Sequence, residues 1–433
     1  MRKLRYYFSL LALGAILFAA CGKNPGEVPK PTETPQVSET PEVTEEPEAT
    51  ATPKATATPE PTQGPTPTPM GTNLPEGINL LNTYGKTFGH IGTCINIRQF
   101  SDPKSVALLK EQYNSITLEN EMKPSTILSG YRKQLSLEDA KAQGYVIPDN
   151  YIDETVPELN FYYADRAMEF CAENGLGLRG HTLVWHEQTP TWFFRVGYEP
   201  DGEFVTPEVM DARLEFYIRS VMGHICEHEN GDVLYSWDVV NEYVHAENSG
   251  WETVYSDEGL TPSFVKLAFE IADDVLRQYG IRENVTLVYN DYDTYSVTLQ
   301  ILNLLEFINE DKKLCDVVGM QSHLTAMSVP AIKVKMAVED FLEAGYEVYI
   351  TELDVENKNL TFLASYYYDI MEGLLELKQA GGKINGITYW GLSDQTSWIK
   401  AQKPLLFTNP QTPKLAYYKV LEAYVDAGLY VEE

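Results

Sequence analysis

From Asn73 onward the chain alternates short apolar runs with longer amphipathic stretches. Eight runs are rich in β-branched and aliphatic residues and close on polar or aromatic ones. They are Thr87–Ile97, Ser115–Asn120, Leu176–His186, Val233–Glu242, Val285–Asp291, Val317–Leu324, Glu347–Val355 and Gly386–Leu392. Near-continuous hydrophobicity over so few residues predicts strands buried on both faces. Between them, apolar residues recur at helical spacing over Tyr163–Cys171, Met210–Ile225, Leu299–Ile308, Val334–Leu342, Tyr366–Leu377 and Lys414–Ala427. One more helix is framed by its ends, with Thr261 as N-cap, Pro262 at the first helical position and Gly280 as the stop. Val265, Ala268, Phe269, Ala272 and Val275 make its apolar stripe.

Strands alternating with helices imply parallel pairing through right-handed crossovers. Eight such units predict an α/β protein with a (β/α)8 TIM barrel, and an open doubly wound sheet is the alternative. The barrel is favoured because nearly every strand delivers polar residues at its C-terminal end, where a barrel gathers its working loops. Ser125–Glu158 interrupts the rhythm and predicts a long irregular insertion that shapes a cleft rim.

The segment before Asn73 has a different character. Arg2, Lys3 and Arg5 precede an apolar run from Tyr6 to Ala20, too short for an ordinary spanning helix and suited to a signal peptide. The run ends Leu17-Phe18-Ala19-Ala20-Cys21, which is similar to the cleavage site of bacterial lipoproteins. That similarity implies a signal over 1–20, a lipidated Cys21 and a membrane anchor; a plain signal with a chance cysteine is the alternative. Residues 22–73 hold 12 of the chain's 25 prolines and no aromatic residue. Such a stretch cannot bury enough apolar surface to offset its ordering entropy, so 21–73 reads as a disordered, semi-rigid Pro/Thr-rich linker. The division expected is signal 1–20, linker 21–73 and catalytic domain 74–433. The protein is then extracytoplasmic, anchored at the bacterial surface or secreted, and a monomer.

Charge narrows the partners. The chain carries 33 Lys and Arg against 63 Asp and Glu, a formal charge of −30. From Asn73 onward 27 basic and 55 acidic residues remain, so the excess belongs to the domain that folds. Such a field repels phosphate backbones, and no nucleic-acid partner is expected. Five cysteines in 433 residues exclude a disulfide scaffold, and Cys94, Cys171, Cys226 and Cys315 read as reduced core residues, one disulfide in an extracytoplasmic setting being the alternative. Two short patterns are decoys. Gly175-Leu-Gly-Leu-Arg-Gly180 has the letters of a dinucleotide-binding loop, but a helix precedes it and a strand follows, the reverse of what that loop needs. His224-Ile-Cys-Glu227-His228 has zinc-site letters but falls at the end of a helix on the far side of the barrel. No metal and no cofactor are expected.

The chemical signal is a set of carboxylates at strand ends. Trp237-Asp-Val-Val-Asn241-Glu242 closes the fourth strand and Ile350-Thr-Glu352-Leu-Asp354 the seventh. Period two places Asp238 on the same strand face as Glu242 but deeper, where it would satisfy interior polar groups. A single buried Glu is usually a structural ion pair; two at a barrel mouth, among His and Trp, suggest paired acid-base work. Around them stand Glu119, Asn120, Lys123, His181, Trp185, His186, Asn290, Asp291, Tyr292, Gln321, His323, Trp390 and Trp398. Aromatic faces for pyranose rings, with a few convergent hydrogen-bonding groups, are what a sugar cleft needs.

On these residues the sequence resembles glycoside hydrolase family 10, the retaining endo-β-1,4-xylanases. The motifs are Glu119-Asn-Glu-Met-Lys123, Gly180-His-Thr-Leu-Val-Trp-His186, Trp237-Asp-Val-Val-Asn-Glu242, Gly319-Met-Gln-Ser-His-Leu324, Ile350-Thr-Glu-Leu-Asp354 and Trp390-Gly-Leu-Ser-Asp394, spread over roughly Leu74 to Gly428. The resemblance implies that xylan and xylo-oligosaccharides are the partners, Glu242 the general acid/base and Glu352 the nucleophile. It implies that Asn241 holds the sugar 2-hydroxyl, His323 orients the nucleophile and Gln321 steadies the same site. Lys123, His181, Trp185 and Trp390 would line the subsite before the scissile bond, Glu119, Asn120 and Trp398 the next one back, and Tyr292 the leaving side. Pro124 and Gln395-Thr396 depart from the family pattern and bear on distal subsites, not on the chemistry. A β-glucanase on the same barrel and a lipid-anchored sugar-binding protein are the rival readings.

Overall fold

The computed structural model describes residues 73–128 and 130–431. The expectations placed on the signal peptide, on Cys21 and on nearly all of the linker lie outside the described residues. Eight strands form the barrel: β1 (His90–Ile95), β2 (Ser115–Leu118), β3 (Gly177–Trp185), β4 (Leu234–Asn241), β5 (Thr286–Asp291), β6 (Val317–Met320), β7 (Glu347–Glu356) and β8 (Ile384–Tyr389). Each pairs in parallel with the next, and β8 returns to pair with β1, His90 opposite Gly386. The sheet is therefore closed, and the open-sheet alternative is excluded. All eight predicted runs became barrel strands. Two-sided burial is why they were legible: every residue of β2 and β6 is buried.

The sixth run does not continue as one strand. It stops at Met320, and His323–Thr325 resumes as a short strand pairing with β7. Ser322 between them has φ +60°. The break turns the chain so that Gln321 and His323 both reach the same opening. Gly319, just before it, lies where a Cβ would meet Asn290 Oδ1 at 2.5 Å. Any side chain there would displace an amide that supports the site, so the glycine is required by close approach.

Helices fill the crossovers. Six of the seven predicted ones match in place and type, from Tyr162–Asn174 to Leu415–Asp426. The seventh begins one residue later than expected: it spans Ser263–Gln278, with Pro262 rather than Thr261 at the N-cap. Gly280, at φ +70°, follows its end as predicted. The helix Pro103–Gln112 was not foreseen, because few of its residues are apolar; its start is built by Asp102, which accepts from the Ser105 amide at 3.1 Å. The insertion Ser125–Glu158 is more ordered than its composition suggests. Gly130–Ser136 and Thr155–Glu158 pair antiparallel, with a helix Leu137–Ala142 between them.

The two short patterns fall where the sequence placed them, one at a helix end before a strand and the other in the last turn of a helix. Gly175 caps the helix before β3 in the left-handed conformation, φ +67°. His224 Nε2 donates to Asp165 Oδ1 at 2.6 Å, and the ring stacks on Phe161, at 3.9 Å between ring centroids. Cys94, Cys171 and Cys315 are buried free thiols, and Cys226 is half-buried and also free.

Candidate active site

The C-terminal ends of the barrel strands open into one cleft. Glu119, Asn120, Lys123, His181, Trp185, Asn241, Glu242, Tyr292, Gln321, His323, Glu352, Trp390 and Trp398 all line it, together with His186, Glu187, Gln188 and Asp293. Each residue given a catalytic or subsite role from the sequence is thus brought to one place, while Asn290 and Asp291, also named, are fully buried and do not line the cleft. Trp185 and Asn241 end β3 and β4, and Glu242 follows directly in the left-handed region at φ +62°. A non-glycine residue there costs on the order of 1–3 kcal/mol and persists only where its surroundings hold it. They do: the Glu242 amide donates to the Asn290 carbonyl at 2.8 Å.

The two glutamates share a network but not a protonation state. Glu242 Oε1 accepts from Gln321 Nε2 at 2.7 Å, and Oε2 accepts from Trp185 Nε1 at 2.7 Å. Glu352 Oε1 accepts from Asn290 Nδ2 at 2.7 Å. Asn241 Oδ1 joins the halves, accepting from Asn290 Nδ2 (2.9 Å) and Gln321 Nε2 (3.2 Å). Both carboxyls therefore border the same space rather than being separated by packed interior. Burial pushes Glu242 up to about 7, the charges of Glu352 and Asp291 adding to it against the two donors. Burial alone would raise Glu352 too, but His181, His323 and Arg179 bring it down to about 2.

Burial lowers His181, against the opposing pull of Glu352 and of its hydrogen bond to Asp238. His323 is raised to about 10: burial would lower it, and Asp354 with Glu352 outweighs that. Its Nδ1 donates to Asp354 Oδ1 (2.9 Å) and its Nε2 to Glu352 Oε2 (3.3 Å). Trp398 Nε1 donates to the other Asp354 oxygen at 2.7 Å, tying a half-exposed aromatic to the same post.

Beneath the cleft, Asp238 does what its depth predicted. Its Oδ2 takes Arg179 Nη2 at 2.9 Å and His181 Nδ1 at 2.8 Å. Arg179 Nη1 donates to the Thr351 carbonyl at 2.7 Å, and Nη2 lies 3.9 Å from Glu352 Oε1. An arginine wholly buried in a strand is rare unless paired, and that rarity was the signal by which sequence reasoning could have flagged it. Asp354 and His245 were likewise given no role from sequence. Along one wall of the cleft, Lys123 Nζ sits 4.6 Å over the Trp185 ring, and Trp390 meets His181 edge to face at 5.4 Å.

The Trp185 contact yields a pH prediction. Its indole N–H stabilises ionised Glu242, so Trp185→Phe removes that support and moves the Glu242 pKa upward. The Glu242 pKa is expected to rise by about one unit, a hydrogen bond to a charged group being worth ~1.5 kcal/mol or more. A carboxyl-13C NMR titration of Glu242 reads it, and an unmoved value would sever Trp185 from that carboxyl.

Residues 79–423 match the family model described as Glycosyl hydrolase family 10. The chain is 45% identical over 348 residues to Endo-1,4-beta-xylanase A of Butyrivibrio fibrisolvens, covering 80% of this chain and 85% of that one. Endo-1,4-beta-xylanase B of the same organism is 35% identical over 358 residues, and the match spans 80% of this chain but only 53% of that longer protein. Among solved structures, the N-terminal endo-1,4-beta-D-xylanase 10B of Clostridium thermocellum, complexed with xylohexaose, aligns with a TM-score of 0.67 at 30% identity, over 79% of this chain and 67% of that one. With a closed barrel, two glutamates of opposed protonation on one cleft, and these relatives, the chain belongs to glycosyl hydrolase family 10.

Proposed function

We infer that the protein hydrolyses internal β-1,4-xylosidic bonds of xylan by double displacement, with Glu352 as nucleophile and Glu242 as acid and then base. It is an endo-1,4-β-xylanase, a retaining glycoside hydrolase. The observation that carries the assignment of roles is the split between the two carboxyls. Near neutral pH Glu352 is ionised and Glu242 can still hold a proton. In the first step Glu352 attacks the anomeric carbon while Glu242 protonates the departing oxygen. The ester bond that forms removes the charge of Glu352, and with it one of the influences that raise Glu242. The acid therefore becomes the base that takes a proton from the incoming water.

The other residues follow from their partners. Asn241 Oδ1 is taken by two donors, which leaves its amide NH2 free for a sugar hydroxyl. His323 holds Glu352 and is itself held by Asp354, so nucleophile and glycone wall move as one body. Gln321 and Trp185 fix the Glu242 carboxyl from both sides. Lys123, His181, Trp185 and Trp390 bind the sugar before the scissile bond, Glu119, Asn120 and Trp398 the one behind it, and Tyr292 the departing side. NMR of freshly released product from β-linked xylan tests the mechanism. The β-anomer is expected first, and initial release of the α-anomer would overturn the roles given to both glutamates.

The reading extends to the amino terminus. Cys21 carries the lipid that holds the enzyme at the cell surface, the Pro/Thr-rich linker sets the barrel off from the membrane, and the enzyme acts as a monomer. The Lys-Arg start, apolar run and Ala-Ala-Cys ending support the anchor. Cells fed a labelled fatty acid should incorporate it into the protein, and a Cys21→Ser variant that keeps the label would rule the anchor out. Sedimentation of the domain reads the monomer.

A further inference from the structure

His245 lies just outside the cleft, on the turn that follows Glu242, and its imidazole stacks face to face on Tyr292. The ring centroids are 4.0 Å apart and the planes 22° from parallel. His245 Nδ1 lies 2.7 Å from Asp291 Oδ1, a carboxylate with no solvent exposure. The same oxygen accepts the Tyr292 backbone N–H at 2.8 Å, and Oδ2 accepts the Tyr289 hydroxyl at 2.5 Å. That hydroxyl accepts the Val244 N–H at 3.0 Å. The His245 N–H donates to the Glu242 carbonyl at 3.2 Å, closing the turn. Tyr292 is thus gripped twice, at its backbone by Asp291 and across one ring face by His245, while its other surface borders the cleft.

We propose that His245 is a positioning residue of the leaving side, holding Tyr292 as a preformed platform for the first sugar beyond the scissile bond. The proposal rests on the xylanase reading above and adds where the preference for a long chain is set. A tyrosine on a loop loses rotamer freedom when a sugar settles on it; one already pinned by a stacked ring does not. The contact is made only by the departing portion of the substrate. Its loss therefore weakens cleavage of chains that extend past the cut and spares a reaction whose leaving group is a single atom.

The test uses the full chain and His245→Ala, with His245→Phe keeping the stack but not the Asp291 contact. Asp291 retains Tyr289 and the Tyr292 amide in both variants. Three rates are compared: xylohexaose hydrolysis, covalent labelling by 2-deoxy-2-fluoro-β-xylobiosyl fluoride, and reactivation of the labelled enzyme by xylobiose as acceptor. In His245→Ala, kcat/KM on xylohexaose is expected to fall about fivefold to tenfold, the scale of one aromatic contact, mostly through KM. The half-saturating acceptor concentration is expected to rise to match, and labelling to stay within about twofold of wild type. His245→Phe restores most of the xylohexaose loss. The proposal is overturned if labelling slows as much as hydrolysis, if xylohexaose cleavage is unchanged, or if Phe behaves like Ala. A wild-type protein that takes no label at Glu352 would overturn the glycosidase reading itself, and this inference with it.

Discussion

Glu352→Gly is expected to lower xylan hydrolysis on the order of 10⁴- to 10⁶-fold, the scale seen when the attacking group of a covalent mechanism is removed. The loss follows from position. Glu352 is 3% exposed and meets a ring of donors: His323 Nε2 at 3.3 Å, Asn290 Nδ2 at 2.7 Å and Arg179 Nη2 at 3.9 Å. Nothing else in that ring can attack an anomeric carbon, since every member is a donor. The same ring predicts a rescue. Removing the carboxylate leaves a hole lined by His323 and Arg179 that suits a small anion. With an activated aryl β-xylobioside, added azide is expected to restore turnover and to give the α-xylobiosyl azide, because it attacks from the face that Glu352 occupied. A β-configured azide, or xylan hydrolysis retained at wild-type level, would remove Glu352 from the nucleophile's role. Asp238 remains as the partner of Arg179 in the variant, so the barrel interior keeps its charge balance, which a thermal melt would verify.

Glu242→Ala has a different signature because its carboxyl serves both steps in opposite protonation states. Xylan, with a poor leaving group, is expected to slow by about 10²- to 10⁴-fold, the usual worth of a positioned acid. A dinitrophenyl xylobioside needs no proton to depart, so its first step is spared. The second step still lacks a base, and the covalent intermediate accumulates as a burst of one product per enzyme. Azide now enters from the side of the departed group and gives the β-azide, opposite to the Glu352 variant. The pH profile supplies the second readout. Glu242 is held near 7, so wild-type kcat/KM falls as pH rises through that value and the proton is lost. In the variant that alkaline limb disappears for the activated substrate. Equal loss on all substrates, or a limb that survives, would assign the acid elsewhere.

The two variants together separate what the structure couples. Trp185, Gln321, Asn241 and Asn290 link the carboxyls through hydrogen bonds, yet the environments diverge. Glu242 has only neutral donors and is dominated by burial. Glu352 is equally enclosed but faces His323 and Arg179. One cleft thereby holds two carboxyls of divergent pKa, which is what the proposed acid and nucleophile need at one pH.

Much of this was readable one residue at a time. Runs such as Val285–Asp291 and Glu347–Val355 are apolar because a barrel strand is buried on both faces, and their polar ends mark the opening. The cleft residues were found for the same reason. Hidden features were those with no periodic trace. The Gly130–Ser136 strand lies outside the barrel in a polar insertion, and the helix Pro103–Gln112 has too short an apolar stripe. Arg179 and His245 are ordinary letters whose meaning comes from partners on other strands.

By itself the amino-acid order determined the alternation of strand and helix and which carboxylates end the strands, and it favoured a barrel that the β8–β1 pairing then closed. Those follow from local burial and spacing, which every segment carries in its own pattern. Only the tertiary structure decided which glutamate keeps its proton and which residues hold it there. Protonation depends on desolvation and on charges a few ångströms away, and here those neighbours are supplied by strands distant along the chain.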